Sequence, residues 1–470
     1  MKSRFPCSSL IAVAALTSFS LQAQKKEEVA NWLTNTDKTA LFAQQTTPLK
    51  FAKGTNRNPT ITVDEKQTFQ AIDGFGFALT GGSAQHMIRM EPSQRSALIK
   101  ELFATDGNNI GVSYIRLSIG ASDLNDHVFS YDDLPPGETD VEMARFTLAD
   151  DEKDVIPVMK EILAVNPKIL ILGSPWSPPA WMKTSGKVKG GKLKPEYYTA
   201  YAKYFVKYIQ GMKAAGIRID AITPQNEPLN EGNTPSLLMV AEDQLVFVKE
   251  HLGPAFKAAG LDTKIVLYDH NCDHPDYSIT ILKDPEAAKY VTGSGFHLYR
   301  GEIGAMSQVH DAFPKKNLYF TEQMVTGSVD APRPLNTAQV RRLIIGATRN
   351  WSRNVILWNL AADPENNPHT NDGGCGTCQG AITIDGSKYI RNLAYYVVAH
   401  ASKFVRPGSV RIGSNNLDTL ANVAFKTPDG KKVLIVHNSA TTPQTFNIGY
   451  RGKMASATLN PGSVATYVWQ

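Results

Sequence analysis

Glu227 and Glu322 are the residues of this chain whose settings best suit acid–base chemistry. Glu227 lies in Ala221-Ile222-Thr223-Pro224-Gln225-Asn226-Glu227-Pro228, a short β-branched run stopped by two prolines. Proline cannot donate to a sheet ladder, so a strand should end here, and each proline restricts the residue before it. A carboxylate beside an amide is then fixed at the end of a buried strand. Glu322 follows the apolar run Leu318-Tyr319-Phe320-Thr321 in a similar way. Alone, an Asn-Glu-Pro is more often a solvated turn than a site. Two carboxyl groups, however, are what cleavage of a glycosidic bond needs: one protonates the leaving oxygen and the other acts from the opposite face of the sugar. That division of labour requires environments that push the two pKa values apart. Asn226 and Tyr299 can supply hydrogen bonds for it, while Trp176, Trp358 and Phe75 offer flat apolar faces to a sugar ring.

The elements that must bring the pair together can be read from periodicity. Eight short apolar runs recur: Ala71–Thr80, Val112–Gly120, Lys168–Pro175, Ile217–Thr223, Thr263–Asp269, Val291–Tyr299, Leu318–Gln323 and Asn354–Leu360. Helical patterns separate them, including Pro92–Ala104, Asp150–Ala164, Pro195–Ala215, Gln244–Ala259 and Thr337–Arg349. This alternation predicts an α/β fold, a (β/α)₈ TIM barrel. An open doubly wound sheet fits less well, because Asp73-Gly74-Phe75-Gly76-Phe77 lacks the spacing of a dinucleotide loop. The strand ends of such a barrel would carry Asp123, Trp176, Glu227, Asp269, His297, Tyr299, Glu322 and Trp358. Strands four and seven face each other across a barrel mouth, so glutamates 95 positions apart are expected about 5 Å apart, the spacing of a retaining mechanism.

After a last helix, Asn392–Phe404, the pattern changes to short period-two segments with a Thr427-Pro428-Asp429-Gly430 turn, predicting a fused small antiparallel β-sandwich. The expected domains are a signal peptide over 1–23, an N-terminal segment over 24–70 contributing to the sandwich, the barrel over 71–404 and the C-terminal sandwich over 405–470. Thr36 to Gln45 reads as partly helical and Thr60–Val63 as a strand.

Lys2, Arg4 and the apolar run Leu10–Leu16 form a secretory signal, with cleavage expected after Ala23. The run is too short to span a bilayer. Export to the periplasm or the cell exterior is expected. Removing Lys2 and Arg4 takes the formal charge of +5 to +3, too weak to imply nucleic acid or an anionic membrane as partner. The mature chain is read as a monomer. Three cysteines remain after export, Cys272, Cys375 and Cys378. The Cys375/Cys378 pair can close a tight disulfide, stay as thiols or bind metal; no metal or cofactor is expected, since the paired motifs of a zinc site are missing.

Each residue also has a plainer reading. Trp176 and His297 can be core packing, Asp123 and Asp269 helix or turn caps, and Tyr299 structural. The five lysines of Lys183–Lys194 read as a solvated loop. The motifs taken together narrow these choices. Asp73-Gly74-Phe75-Gly76, Ser174-Pro175-Trp176, Asn226-Glu227-Pro228, Asp284–Tyr290, His297-Leu298-Tyr299, Thr321-Glu322 and Trp358-Asn359-Leu360 occur in this order. In that set the chain resembles glycoside hydrolase family 30, which includes glucosylceramidases and microbial β-1,6-glucanases. The resemblance implies a retaining β-glycosidase with Glu227 as acid/base and Glu322 as nucleophile. It further implies sugar contacts from Asp123, Trp176, Asn226 and Trp358, and Tyr299 bonded to the nucleophile. Residues 77–83 and the cysteine-bearing loop 366–380 look more similar to secreted bacterial β-1,6-glucanases. The expected partner is therefore a β-glucan, cleaved internally, with glucosylceramide or exo-acting β-glucosidase activity as the alternative. A non-catalytic carbohydrate-binding protein would typically have lost one of the carboxylates.

Overall fold

The computed structural model describes residues 27–470; the signal-peptide reading over 1–23 lies outside them. Eight parallel strands close into a barrel: β1 (Gly74–Leu79), β2 (Tyr114–Ile119), β3 (Leu170–Pro175), β4 (Ala221–Ile222), β5 (Lys264–Cys272), β6 (Val291–Gly301), β7 (Asn317–Glu322) and β8 (Ser352–Leu357). Each coincides with one of the eight apolar runs. Helices such as Pro92–Phe103, Val155–Val165 and Tyr198–Ala214 pack outside it, burying their apolar stripes.

The barrel interior is built in steps of two residues, because alternate side chains of a strand point the same way. One layer is apolar and comes from Tyr114, Leu172, Ala221, Val266, Tyr319 and Ile356. Two residues further along the same strands stand Arg116, Ser174, Thr223, Thr321 and Trp358. The core thus turns polar one layer below the mouth. On β5 the step is broken. The pairing with β6 passes from Tyr268 to His270, leaving Asp269 as an extra residue, and both Tyr268 and Asp269 have positive φ. A bulge of this kind re-aims a side chain, and here it aims Asp269 inward.

The sandwich is made of strands Val410–Ser414, Leu420–Lys426, Lys432–Asn438, Gln444–Tyr450, Lys453–Leu459 and Val464–Trp469. Thr60–Ala71 joins its two layers, pairing parallel with Gln444–Tyr450 and antiparallel with Val410–Ser414. Glu28–Thr34 adds along Val464–Trp469. The segment Thr36 to Gln45 is not helical: it runs through turns into a two-residue strand, Ala43–Gln44, which pairs back on Trp32 and Leu33. Pairing to an existing strand edge overrode a weak local pattern. Among the described residues no helix is long and apolar enough to cross a membrane.

Candidate active site

Glu322 is the last residue of β7, and Glu227 follows β4 by five positions. The chain beyond β4 stays beside β3, with Thr223 donating its N–H to Gly173 and Asn226 donating to Pro175. It then turns sharply: Glu227 has φ +43° and gives its N–H to the carbonyl of the bulged Asp269 at 3.0 Å. A non-glycine residue in this region needs a surround that holds it there. The carboxyls of Glu227 and Glu322 converge on His297, and one ligand atom from each of the three lies within 4.8 Å of the others. Carboxyl oxygens this close suit a retaining pair, whose groups stand roughly 5–5.5 Å apart, and leave less room than the roughly 6.5 Å or more of an inverting pair.

His297, on β6, is fully buried. Its Nε2 faces Asp269 Oδ1 at 3.0 Å, while Nδ1 faces Glu227 Oε1 at 3.2 Å and Glu322 Oε1 at 3.7 Å. Asp269 is buried beneath it and accepts from Arg116, Ser174, Thr223 and Thr321 as well. Burial opposes its charge, but Arg116 and these donors hold its carboxyl well below the usual carboxylate range. It caps no helix; it is the fixed anion that orients His297.

Arg116, on β2, spans the floor of the site. Its Nη1 donates to Glu322 Oε2 at 2.5 Å, and Nη2 donates to Asp269 at 2.8 Å and to Asn226 Oδ1 at 2.7 Å. Asn226 therefore serves Arg116, not the glutamate beside it. The amide that meets Glu227 belongs to Asn230, which donates to Oε2 at 2.7 Å. Tyr299 donates to Glu322 Oε1 at 3.1 Å; its oxygen accepts the N–H of Met324 at 3.0 Å, which points the hydroxyl proton at the carboxylate.

Electrostatics divide the group. Burial works against charge on His297, but Glu322, Asp269 and Glu227 raise its pKa to about 9. Burial pushes Glu227 up, yet the hydrogen bond and charge of His297 draw it down to about 2. In the free site the proton shared by this pair rests on the imidazole, 3.2 Å from the oxygen that can receive it. The balance for the Glu322 carboxyl is upward: burial raises it most, His297 and Arg116 oppose that, and Glu227 and Asp269 add to it. The direct guanidinium contact and the aimed Tyr299 hydroxyl favour its anionic form.

Trp176 and Trp358 follow β3 and β8 directly and stack at 5.2 Å, with Arg116 4.9 Å below the Trp176 ring. Asp123, in the loop after β2, completes the wall; burial and the two glutamates lift its carboxyl to about 8. Residues 366–380 close the other side, where Cys375 and Cys378 form a disulfide. Gly373 there has φ +88°, and a Cβ would lie 2.2 Å from the Gly232 carbonyl, so only glycine lets the two loops meet. Cys272 is a buried free thiol. The cavity is open to solvent, measures about 490 Å³ and is lined by Asp123, Trp176, Asn226, Glu227, Tyr299, Glu322 and Trp358 among others.

Of the residues singled out in the sequence, these seven line one cavity and His297 lies beneath them, between the two carboxyls. Phe75 does not join them. It is wholly buried in the core outside the barrel sheet, so it offers no face to a ligand. Lys183 is likewise not a solvated loop residue: it is buried, its ammonium donating to Ser177 and to the carbonyls of Val188 and Ser236. Arg116 and Asn230 join the site without having been singled out in the sequence. Arg116 had a signal, being the one charged residue in the strand Tyr114–Ile119.

The model of the glycosyl hydrolase family 30 TIM-barrel domain matches residues 72–405, and that of the family's β-sandwich domain matches 408–467. The chain belongs to glycosyl hydrolase family 30. Within that family it is 33% identical to an endo-1,6-beta-D-glucanase of Neurospora crassa, over 88% of this chain and 89% of that one. It is 30% identical to the lysosomal acid glucosylceramidase of Mus musculus, over 89% of this chain and 85% of the other. Among solved structures, the endo-beta1,6-glucanase BT3312 superimposes with a TM-score of 0.86 at 35% identity, covering 94% of this chain and 99% of that one. The chain is a glycoside hydrolase.

Proposed function

We propose that this protein is a retaining endo-β-1,6-glucanase in which Glu322 is the nucleophile and Glu227 the acid/base. The observation that carries the roles is the asymmetry of the two carboxyls. Glu322 is held between a guanidinium and an aimed hydroxyl, as a charged nucleophile must be. Glu227 is bonded to a proton-bearing imidazole. A glucose unit resting against Trp176 and Trp358 would present its anomeric carbon to Glu322 and its glycosidic oxygen to Glu227. Attack by Glu322 forms the glycosyl-enzyme while Glu227, drawing on the His297 proton, protonates the departing oxygen; water then reverses the geometry with Glu227 as base.

The leaving-group side supports a glucan in preference to a lipid. Beyond the glutamates the cavity is lined by Asn230, Glu231, Asn233, Asp273, His274 and Arg300. Such a wall suits sugar hydroxyls and would leave the chains of a ceramide against polar groups. Relatives named endo-1,6-beta-D-glucanase at 33% identity point the same way. The disulfide beside the site fits an exported protein.

Incubation with pustulan, with a panel of other β-linked glucans and with glucosylceramide tests this reading. Short β-1,6-oligosaccharides from pustulan are expected, released first as the β-anomer by NMR. Cleavage of the lipid alone, release of single glucose units from chain ends alone, or an α-anomer would overturn it.

A further inference from the structure

His270 lines the catalytic cavity, and the mechanism above gives it nothing to do. It follows the bulged Asp269 on β5 and pairs with Phe296 of β6. The chain just beyond it is fixed: the Tyr268 hydroxyl donates to the Asn271 carbonyl at 2.7 Å, and Asn271 Oδ1 accepts the N–H groups of Tyr299 at 2.9 Å and Arg300 at 3.2 Å. His270 is only 7% exposed, yet its Nδ1 is sealed from solvent with no partner. Nε2 opens on the cavity 3.9 Å from Glu227 Oε1. That is too far for a direct hydrogen bond. It leaves room for a substrate oxygen within reach of both groups. We propose that His270 binds the departing glucose unit, donating from Nε2 to its ring oxygen and so favouring a β-1,6 linkage; this rests on the function proposed above.

The imidazole is a fixed donor. Burial outweighs the pull of the Glu227 charge and takes its pKa down to about 4, so the ring is neutral and carries one proton. Buried N–H groups without an acceptor are rarer than buried lone pairs without a donor. The proton therefore sits on Nε2 and faces the cavity. His297, bonded through both nitrogens and charged, supplies the catalytic proton, which leaves His270 free to hold substrate.

A donor at this point distinguishes linkages. The scissile oxygen must lie against Glu227, and His270 meets the atoms next to it. In a β-1,6 link that oxygen is O6 of the departing unit, with the ring oxygen of the same unit two carbons away. The two stand gauche in both rotamers that glucose favours about its C5–C6 bond. The ring oxygen has lone pairs and no proton, so it can only accept. A β-1,4 link holds it anti to the scissile oxygen, and a β-1,3 link sets it across the ring. The sphingoid alcohol of a glucosylceramide has no ring oxygen to offer. Substrates that leave a buried polar group unpaired are rejected by a site built around it.

The test follows the glycosyl-enzyme that the whole protein forms from dinitrophenyl β-glucoside, with methyl β-glucoside added as acceptor. Attack by water gives glucose, and attack by O6 of the acceptor gives methyl β-gentiobioside. Each attack passes its proton to Glu227 and frees the Glu322 carboxylate, so the ratio of transfer to hydrolysis is blind to damage at Glu227. His270→Phe and His270→Leu carry no donor. Both are expected to lower that ratio at least about three-fold, the worth of one neutral hydrogen bond. His270→Gln, which keeps an N–H at similar reach, should stay closer to the wild type than either. A smaller fall in either donor-free variant overturns the assignment, and should one of them fail to fold, the other decides. Lost turnover with the ratio unchanged would show that His270 acts through Glu227 instead. If the wild type cleaves no pustulan, the functional reading fails first and this inference falls with it; pustulan cleavage with an unchanged ratio refutes the inference alone.

Discussion

The guanidinium of Arg116 meets the carboxylate of Glu322 at 2.5 Å, and neither group has a route to bulk water except through the catalytic cavity. The same side chain neutralises Asp269 at 2.8 Å, so one cation is set against two buried anions. Ion pairs this deep contribute little net stability while intact but are costly to break from one side. Arg116→Ala should therefore destabilise the fold by about 3–5 kcal/mol, the range for an uncompensated buried charge. Arg116→Lys keeps a charge but loses the fork that reaches Glu322, Asp269 and Asn226 together. It is expected to fold, with kcat on β-1,6-glucan reduced at least about 100-fold, the loss attached to one well-placed charge-stabilising donor. Thermal unfolding and steady-state kinetics on the two variants check both statements. Full activity in Arg116→Lys would mean that the guanidinium does not set the state of Glu322.

Asp123 and His297 both act in their protonated forms. The Asp123 carboxyl, lifted to about 8 by burial and the two glutamates, is neutral at pH 7 and can donate to a sugar hydroxyl. His297, raised to about 9 against burial by Glu322, Asp269 and Glu227, carries the proton that Glu227 passes on in the proposed mechanism. Raising the pH removes first the Asp123 proton and then that of the His297–Glu227 pair, so kcat/KM should fall on the alkaline side in two overlapping steps. Asp123→Asn stays neutral at every pH. It should hold kcat/KM near pH 7 within about ten-fold and leave a single alkaline step near 9, since kcat/KM reports groups of the free enzyme. Asp123→Leu, lacking any donor, should lose far more. A wild-type profile flat to pH 10 would refute the assignment.

The barrel was legible because its signal is redundant. Eight strands each announce themselves by three or more apolar residues, and Glu227 and Glu322 each stand at a strand end where proline or a change of polarity marks the stop. What stayed hidden depends on contacts between distant segments. Nothing local says that Asp269 is the extra residue of a bulge, since a bulge is a property of two strands. Asn226 and Asn230 are both amides near Glu227, and only the turn with φ +43° decides that the second one reaches it. Phe75 failed as a sugar platform for a related reason. Adjacent residues on a strand face opposite ways, so the side of the sheet a ring lands on rests on a register the sequence does not print.

In the mechanism we propose Glu227 acts by moving a proton, and that role can be separated from binding. Glu227→Ala should cut turnover of β-1,6-glucan by about 10²–10⁴, the usual worth of a general acid. A dinitrophenyl β-glucoside, whose leaving group needs no proton, should still load Glu322, giving a rapid first burst followed by slow release. Azide added to this variant occupies the space left by the carboxyl and attacks the glycosyl-enzyme, so β-glucosyl azide should form. Mass spectrometry of the stalled protein should place the sugar on Glu322. A burst with no label on Glu322, or equal losses on both substrates, would reverse or remove the two roles.

The disulfide Cys375–Cys378 acts on the site more than on the fold. Its ring is short, and chain entropy assigns a cross-link of this span only about 2 kcal/mol. Its position matters more. Both sulfurs border the catalytic cavity, and the Cys378 side chain packs with Ala78, Leu124, Trp176 and Trp358. Thr370, in the same loop, donates its N–H to the Asp123 carbonyl at 2.9 Å and its hydroxyl to the Thr234 carbonyl at 2.7 Å, linking the walls on either side of the two glutamates. Cys375→Ser with Cys378→Ser should therefore raise KM for β-1,6-glucan several-fold while changing kcat by less than about three-fold, because the catalytic pair sits on strands and on the β4 turn. Treatment of the wild type with a phosphine reductant should reproduce the KM effect and have none on the double variant. A fall in kcat with KM unchanged would show instead that the loop holds the carboxyls themselves.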